Sequence, residues 1–143
     1  KQSLTFKAAG LHTNTCRKAL RKLSRYETFK DDISFLKESS YDDKAQRVHF
    51  VVASSLLDYN MTVNFKLPRI KKPGVYPFVF DVGFLIGLKG VIHVSDHESR
   101  CLFVSDASWE GPDTGFSATL FELFAKTMTK MIMGRLFEIS KTI

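Results

Sequence analysis

From Ser117 to Ile143 the chain carries no proline and no strand-like alternation, and its apolar positions cover far more than one narrow stripe. Leu120, Phe121, Leu123, Phe124, Met128, Met131, Ile132, Met133, Leu136, Phe137 and Ile139 recur at helical spacing, and Gly134 is the only weak point. A helix with so broad an apolar surface must be covered nearly all round. At about 1.5 Å per residue, a continuous run of roughly 25 residues would reach across a whole sheet. The run follows Glu110-Gly111-Pro112-Asp113-Thr114-Gly115, the strongest breaker in the sequence.

What precedes it is strand-like. Leu4, Phe6 and Ala8 alternate with polar residues and read as a first strand ending at Gly10. From Thr13 the period changes to three and four, with Ala19, Leu20, Leu23, Tyr26 and Phe29 apolar, so one or two short helices are expected with a break near Ser24. Ile33 to Lys37 reads as a second strand, Ser39 to Asp43 as a hairpin turn, and Val48 to Ala53 as a third strand. The fourth is the clearest: Tyr59, Met61, Val63, Phe65 and Leu67 alternate with Asn60, Thr62, Asn64 and Lys66. Val75 to Val82, Leu88 to Val94 and Arg100 to Glu110 supply three more, with Asp96 to Ser99 as the last tight turn. Glycines 83, 87 and 90 read as bulges that curve the sheet.

The expected fold is therefore α+β, in the order β-α-α-β6-α: a curved antiparallel sheet of about seven strands wrapped around a long C-terminal helix. At 143 residues a single core, and so a single domain over 1–143, is the default. No stretch approaches the ~20 apolar residues of a membrane span.

This order, with Leu23, Tyr26 and Phe29 leading into the second strand, resembles the START-like helix-grip (SRPBCC) superfamily, especially its polyketide cyclase/dehydrase and coenzyme Q-binding branch. The resemblance covers nearly the whole chain. It departs at Glu27-Thr28, where a proline often stands in the family. It implies a hydrophobic ligand, such as a lipid or quinone, held between sheet and helix; some members turn the ligand over.

The expected cavity lining is Tyr59, Met61, Val63 and Phe65; Tyr76, Phe78 and Phe80; Phe103, Ser105, Ala107 and Trp109; and, from the helix, Phe121, Phe124, Met128, Ile132 and Leu136. Thirteen phenylalanines against one tryptophan fit either a bulky core or rings lining a space. Ser105, Tyr59, Tyr76 or Trp109 would orient a polar head group.

No catalytic constellation emerges. His93 and His97 flank a turn without a completing cysteine or carboxylate, and read as exposed turn histidines. Asp31-Asp32 and Asp42-Asp43 point different ways and suit caps and turns. The expected function is non-catalytic binding or transport, with no cofactor or metal. The alternatives are a cyclase/aromatase-like enzyme and a protein-interaction module with a filled core.

A net charge of +6 fits an anionic partner or mere solubility. Arg17, Lys18, Arg21, Lys22 and Arg25 crowd one helical segment, and Lys66, Arg69, Lys71 and Lys72 one loop. Arg17, Lys18, Arg21, Lys22, Lys71 and Lys72 are the expected contacts to an anionic membrane surface; without nucleic-acid motifs or exposed stacking rings, nucleic acid is not expected. Cys16 and Cys101 could form one bridge outside the cytosol. The start at Lys1, without methionine or an apolar leader, fits a removed export signal or trimmed ends, so the compartment stays open.

Overall fold

Strand alternation is satisfied by a single seven-stranded antiparallel sheet in the order β1-β7-β6-β5-β4-β3-β2. The computed structural model describes residues 2–53, 60–83, 86–111, 130, 133, 134 and 137. The strands are β1 Gln2–His12, β2 Leu36–Asp42, β3 Arg47–Val52, β4 Met61–Lys66, β5 Gly74–Val79, β6 Lys89–His97 and β7 Arg100–Gly111. Between β1 and β2 lie helix α1 Cys16–Leu23, a 3-10 turn Tyr26–Thr28 and the short helix α2 Phe29–Asp32.

Helix α1 forms because Cys16, Ala19, Leu20 and Leu23 share one face, all buried, while Thr15 caps its start by accepting from the Lys18 backbone N–H at 3.4 Å. It stops at Ser24, at the expected break. Its buried face packs on β6 and β7, in one core cluster with Val94 and Cys101.

At the other end of the sequence, Lys130, Met133, Gly134 and Phe137 are helical. Gly10 lets this helix approach β1: a methyl group at Gly10 would run into the Met133 sulfur and lie 2.8 Å from the Phe137 ring. The remainder of the expected C-terminal helix, with Phe121, Phe124, Met128, Ile132 and Leu136, lies outside the described residues, as does Tyr59. The architecture is the helix-grip α+β arrangement.

Several boundaries differ from expectation. β1 continues past Gly10 to His12, because Leu11 and His12 pair with Leu102 and Cys101. β2 begins at Leu36, not Ile33, which closes α2 instead. Ser39 to Asp42 are strand, and the turn falls on residues 43–46. The reason is visible at Ser39: its buried hydroxyl donates to the Glu27 carbonyl at 2.9 Å and accepts from the Lys30 N–H at 3.0 Å, tying the helical segment to the sheet. A polar residue is required there, within a strand. β5 stops at Val79, not Val82. Asp96 and His97 are paired, leaving a two-residue turn at Glu98 and Ser99 with φ of 50° and 66°. Gly83 and Gly87 lie in the β5–β6 loop at φ of 70° and 97°, not at bulges, and Gly90 pairs in register on both sides.

Candidate functional site: the concave face

Cross-strand partners project to the same side of a sheet, so the register sorts the side chains. Val52, Phe50 and Val48 stand opposite Met61, Val63 and Phe65. Tyr76 and Phe78 stand opposite Ile92 and Gly90, which in turn face Ser105 and Ala107. Phe103 joins Val94 on one side and Gly10 on the other, and Trp109 joins Leu4. Phe80 stacks on Phe65 at 4.7 Å between ring centroids, with the planes 8° apart. The nine described strand residues of the expected lining therefore occupy one face, and Phe80, just past β5, joins them through its stack on Phe65.

The rings on this face form a chain. Tyr41 meets Tyr26 edge-on at 5.1 Å, Tyr26 meets Phe29 at 5.9 Å, Phe29 stacks near Phe50 at 6.1 Å, and Phe50 meets Phe65 at 6.0 Å. Phe80 continues it to Phe78 at 6.4 Å. A second group joins Phe103 to Phe137 at 5.3 Å and Phe137 to His12 at 5.1 Å. Met61, Val63, Phe65, Tyr76, Phe78, Phe80 and Phe103 nevertheless remain partly exposed, whereas Ala107 and Trp109 are buried.

Two of the expected polar anchors are already engaged. The Tyr76 hydroxyl donates to the Lys72 carbonyl, and the Trp109 indole N–H donates to the Ile86 carbonyl at 3.1 Å. Indole nitrogen only donates, so Trp109 holds the β5–β6 loop rather than a ligand. The Ser105 hydroxyl forms no hydrogen bond with a described residue, and the residue sits half-buried on this face.

His12, unlike the exposed turn residues His93 and His97, is buried. It is 1% exposed, stands opposite Cys101, and accepts the Asn14 N–H on Nδ1 at 3.0 Å. The neutral ring therefore carries its hydrogen on Nε2. The apparent end of β1 at Gly10 concealed it; continued alternation through Leu4, Ala8 and Gly10 would have found it. His93 and His97 are exposed, and His49 lies within 2.7 Å of Asn64. Among the described residues no three histidine, cysteine or acidic side chains converge on a metal site.

Tyr26 of the Leu23/Tyr26/Phe29 segment is more than an apolar anchor. Its hydroxyl donates to the Pro68 carbonyl at 2.9 Å and accepts the Ile70 N–H at 2.9 Å, and burial pushes its pKa far up. Arg69, one of the expected surface cations, is instead spent internally. It makes a bidentate pair with Glu27 at 3.0 Å, donates to the Ser24 carbonyl at 2.6 Å and to Asp43 at 3.2 Å, and lies 4.5 Å from the Tyr41 ring centroid. Lys66 lies 4.0 Å from Asp81, which Arg47 grips through two 2.8 Å bonds.

Cys16 and Cys101 are joined by a disulfide, both nearly inaccessible, 85 residues apart in sequence. The bond pins the start of α1 onto β7 beside His12.

β4 and β5 overlap by one pair, Lys66 with Val79. Pro68 and Pro77 lack a backbone N–H, so the ladder does not extend past it. An open depression of about 300 Å³ lies there, with Leu67, Pro68, Pro77 and Phe78 in its walls. Among the described residues no helix is long and apolar enough to cross a membrane.

No protein-family model and no curated protein matches the sequence. Solved structures do match. Ara h 8.0201 superposes with a TM-score of 0.76 at 7% identity, over 99% of this chain and all of that one. StfQ, the di-domain ARO/CYC from the steffimycin biosynthetic pathway, gives 0.73 at 8% identity over 98% of this chain, which spans 50% of StfQ. TTHA0849 from Thermus thermophilus gives 0.74 at 13% identity, over 96% of this chain and 97% of that one. At such identities the likeness is one of fold, the helix-grip arrangement of sheet and helices.

Proposed function

We propose that residues 1–143 form one ligand-binding domain that carries an apolar molecule, a lipid or isoprenoid quinone in class, between the sheet and the C-terminal helix. The observation that carries this reading is the middle of the concave face. There Met61, Val63, Phe65, Tyr76, Phe78, Phe80 and Phe103 share one side of the sheet yet stay partly exposed. In a close-packed interior such side chains would keep little exposed surface, so their partial exposure supports space for a ligand. Each 100 Å² of apolar ligand surface taken out of water there contributes about 2.5 kcal/mol. Ser105 supplies a hydroxyl for a polar head, and the gap beside Pro68 and Pro77 offers a way in.

The test is native mass spectrometry of the purified protein, with thermal unfolding across a lipid and quinone panel. A co-purifying apolar species, or stabilisation by about 2.7 kcal/mol at a hundredfold excess over Kd, supports the carrier. A ligand-free protein indifferent to the whole panel counts against it, in favour of an interaction module with a filled core.

A second reading, a cyclase/aromatase-like enzyme, is favoured by His12. A buried imidazole with a defined tautomer on the ligand face is the kind of group that moves protons during ring closure. StfQ, an ARO/CYC by name, supplies a fold precedent. Turnover of a poly-β-ketone analogue by the wild type, lost in His12→Phe with ligand binding retained, would select this reading over the carrier.

A further inference from the structure

Helix α1 contains no acidic residue, and its exposed Arg17 and Arg21 lie one turn apart. The fold brings them together with Arg25 and with Lys71 of the β4–β5 connection around one open depression of about 590 Å³, floored in part by Leu20 and Ser24. Lys22 also lines it and is partly neutralised by Asp32 at 2.7 Å. Arg17, Arg21, Arg25 and Lys71 are exposed and form no ion pair among the described residues.

Two arginines elsewhere are used differently. Arg47 and Arg69 are locked onto Asp81 and Glu27. Around the α1–Lys71 depression four cations instead gather with no ion pair among the described residues, and Lys18 and Lys72 add exposed charge on the same two segments.

We propose that this α1–Lys71 depression docks the protein on an anionic lipid surface, its cations receiving phosphate-bearing head groups. Three observations favour lipid over nucleic acid. Among the described residues no aromatic side chain lines the depression to stack on a base. A concave pocket admits a head group, whereas a nucleic-acid backbone calls for an extended track of charge. And a bilayer is where an apolar ligand is loaded and unloaded, an argument that rests on the carrier reading above.

The test is flotation with vesicles of phosphatidylcholine alone or with 30% phosphatidylglycerol added, the fraction being roughly that of an anionic leaflet. The wild type binds only the anionic vesicles, and high salt releases it. The triple variant Arg17→Gln/Arg21→Gln/Lys71→Gln loses about fivefold in partitioning per residue, roughly 100-fold together. Lys37→Gln/Lys44→Gln/Lys89→Gln removes the same net charge at exposed positions outside the depression, and loses far less. If the patch variant does not fold, the single substitutions read the same fivefold steps.

Equal losses in the two triple variants, or equal binding to neutral vesicles, overturn the proposal. So does tighter retention on single-stranded DNA than on vesicles at the same salt. A protein that binds anionic vesicles but carries no apolar ligand overturns the carrier reading and leaves the docking surface standing. One that carries lipid while ignoring vesicle charge overturns the docking surface alone.

Discussion

The concave face is built in two ways. At its α1 end, Cys16, Ala19, Leu20, Leu23, Tyr26, Phe29 and Ile33 are between 0% and 8% exposed, with the disulfide, the Tyr26 hydroxyl and the Arg69–Glu27 pair tying helix, loop and sheet together. Across the middle, side chains of similar apolar character stand on the same face but remain partly exposed. Both regions satisfy the same alternation. The difference shows that pattern specifies which side a residue faces, while only the covering element decides whether that side is filled.

The largest expected effect lies at the anchored end. Replacing both cysteines by alanine frees an 85-residue loop in the unfolded chain and costs about 4–5 kcal/mol on the chain-entropy model, measured by denaturant unfolding. Ile33→Ala, at a site 1% exposed, costs about 3 kcal/mol and leaves ligand uptake intact. Val63→Trp inverts that pattern. It fills space on the partly exposed face, removes ligand uptake, and costs no more than the roughly 1–3 kcal/mol of added side-chain volume. Equal behaviour of Ile33 and Val63 variants in unfolding and uptake would erase the distinction between the two regions.

Next comes Tyr26→Phe, which strands the buried Ile70 N–H and is expected to cost about 2 kcal/mol. Acid dependence tests the ion pairs around this end. Hydrogen bonding to Arg47 holds the Asp81 carboxyl at about 2, and hydrogen bonding to Arg69 holds the Glu27 carboxyl below its ordinary value. Both are depressed in the folded state, so their contribution is complete above the unfolded value of about 4 and fades as pH falls below it, for Asp81 through about 2. Arg47→Gln flattens that acid limb in unfolding curves; an unchanged limb would remove Asp81 from the account. The smallest effect is at the β6–β7 turn. Glu98→Asn with Ser99→Gly suits the positive φ at both positions and raises stability by about 1 kcal/mol.

Much of the grip was legible because it rests on period-two patterning: Met61, Val63 and Phe65 announce a strand and its inward face without any tertiary knowledge. Ser39 and Tyr41 misled, because their polar atoms serve partners distant in sequence, Glu27 and Lys30 for Ser39 and the Leu67 carbonyl, at 2.8 Å, for Tyr41. Arg69 misled for the same reason. A cation in a Lys- and Pro-rich loop reads as surface until Glu27 and Tyr41 are folded against it. His12 was hidden by Gly10, a residue that usually ends strands and here makes room for Met133 and Phe137. The Cys16–Cys101 bond could be offered but not chosen, since only the docking of α1 on β7 brings the two together.

The most direct measurement is native mass spectrometry of wild type and Val63→Trp after incubation with mixed phospholipid and quinone vesicles. The wild type is expected to emerge with one apolar molecule bound and the folded variant with none. A wild type that emerges empty, or a variant that carries the same load, would contradict the claim that the middle of the concave face is a ligand site.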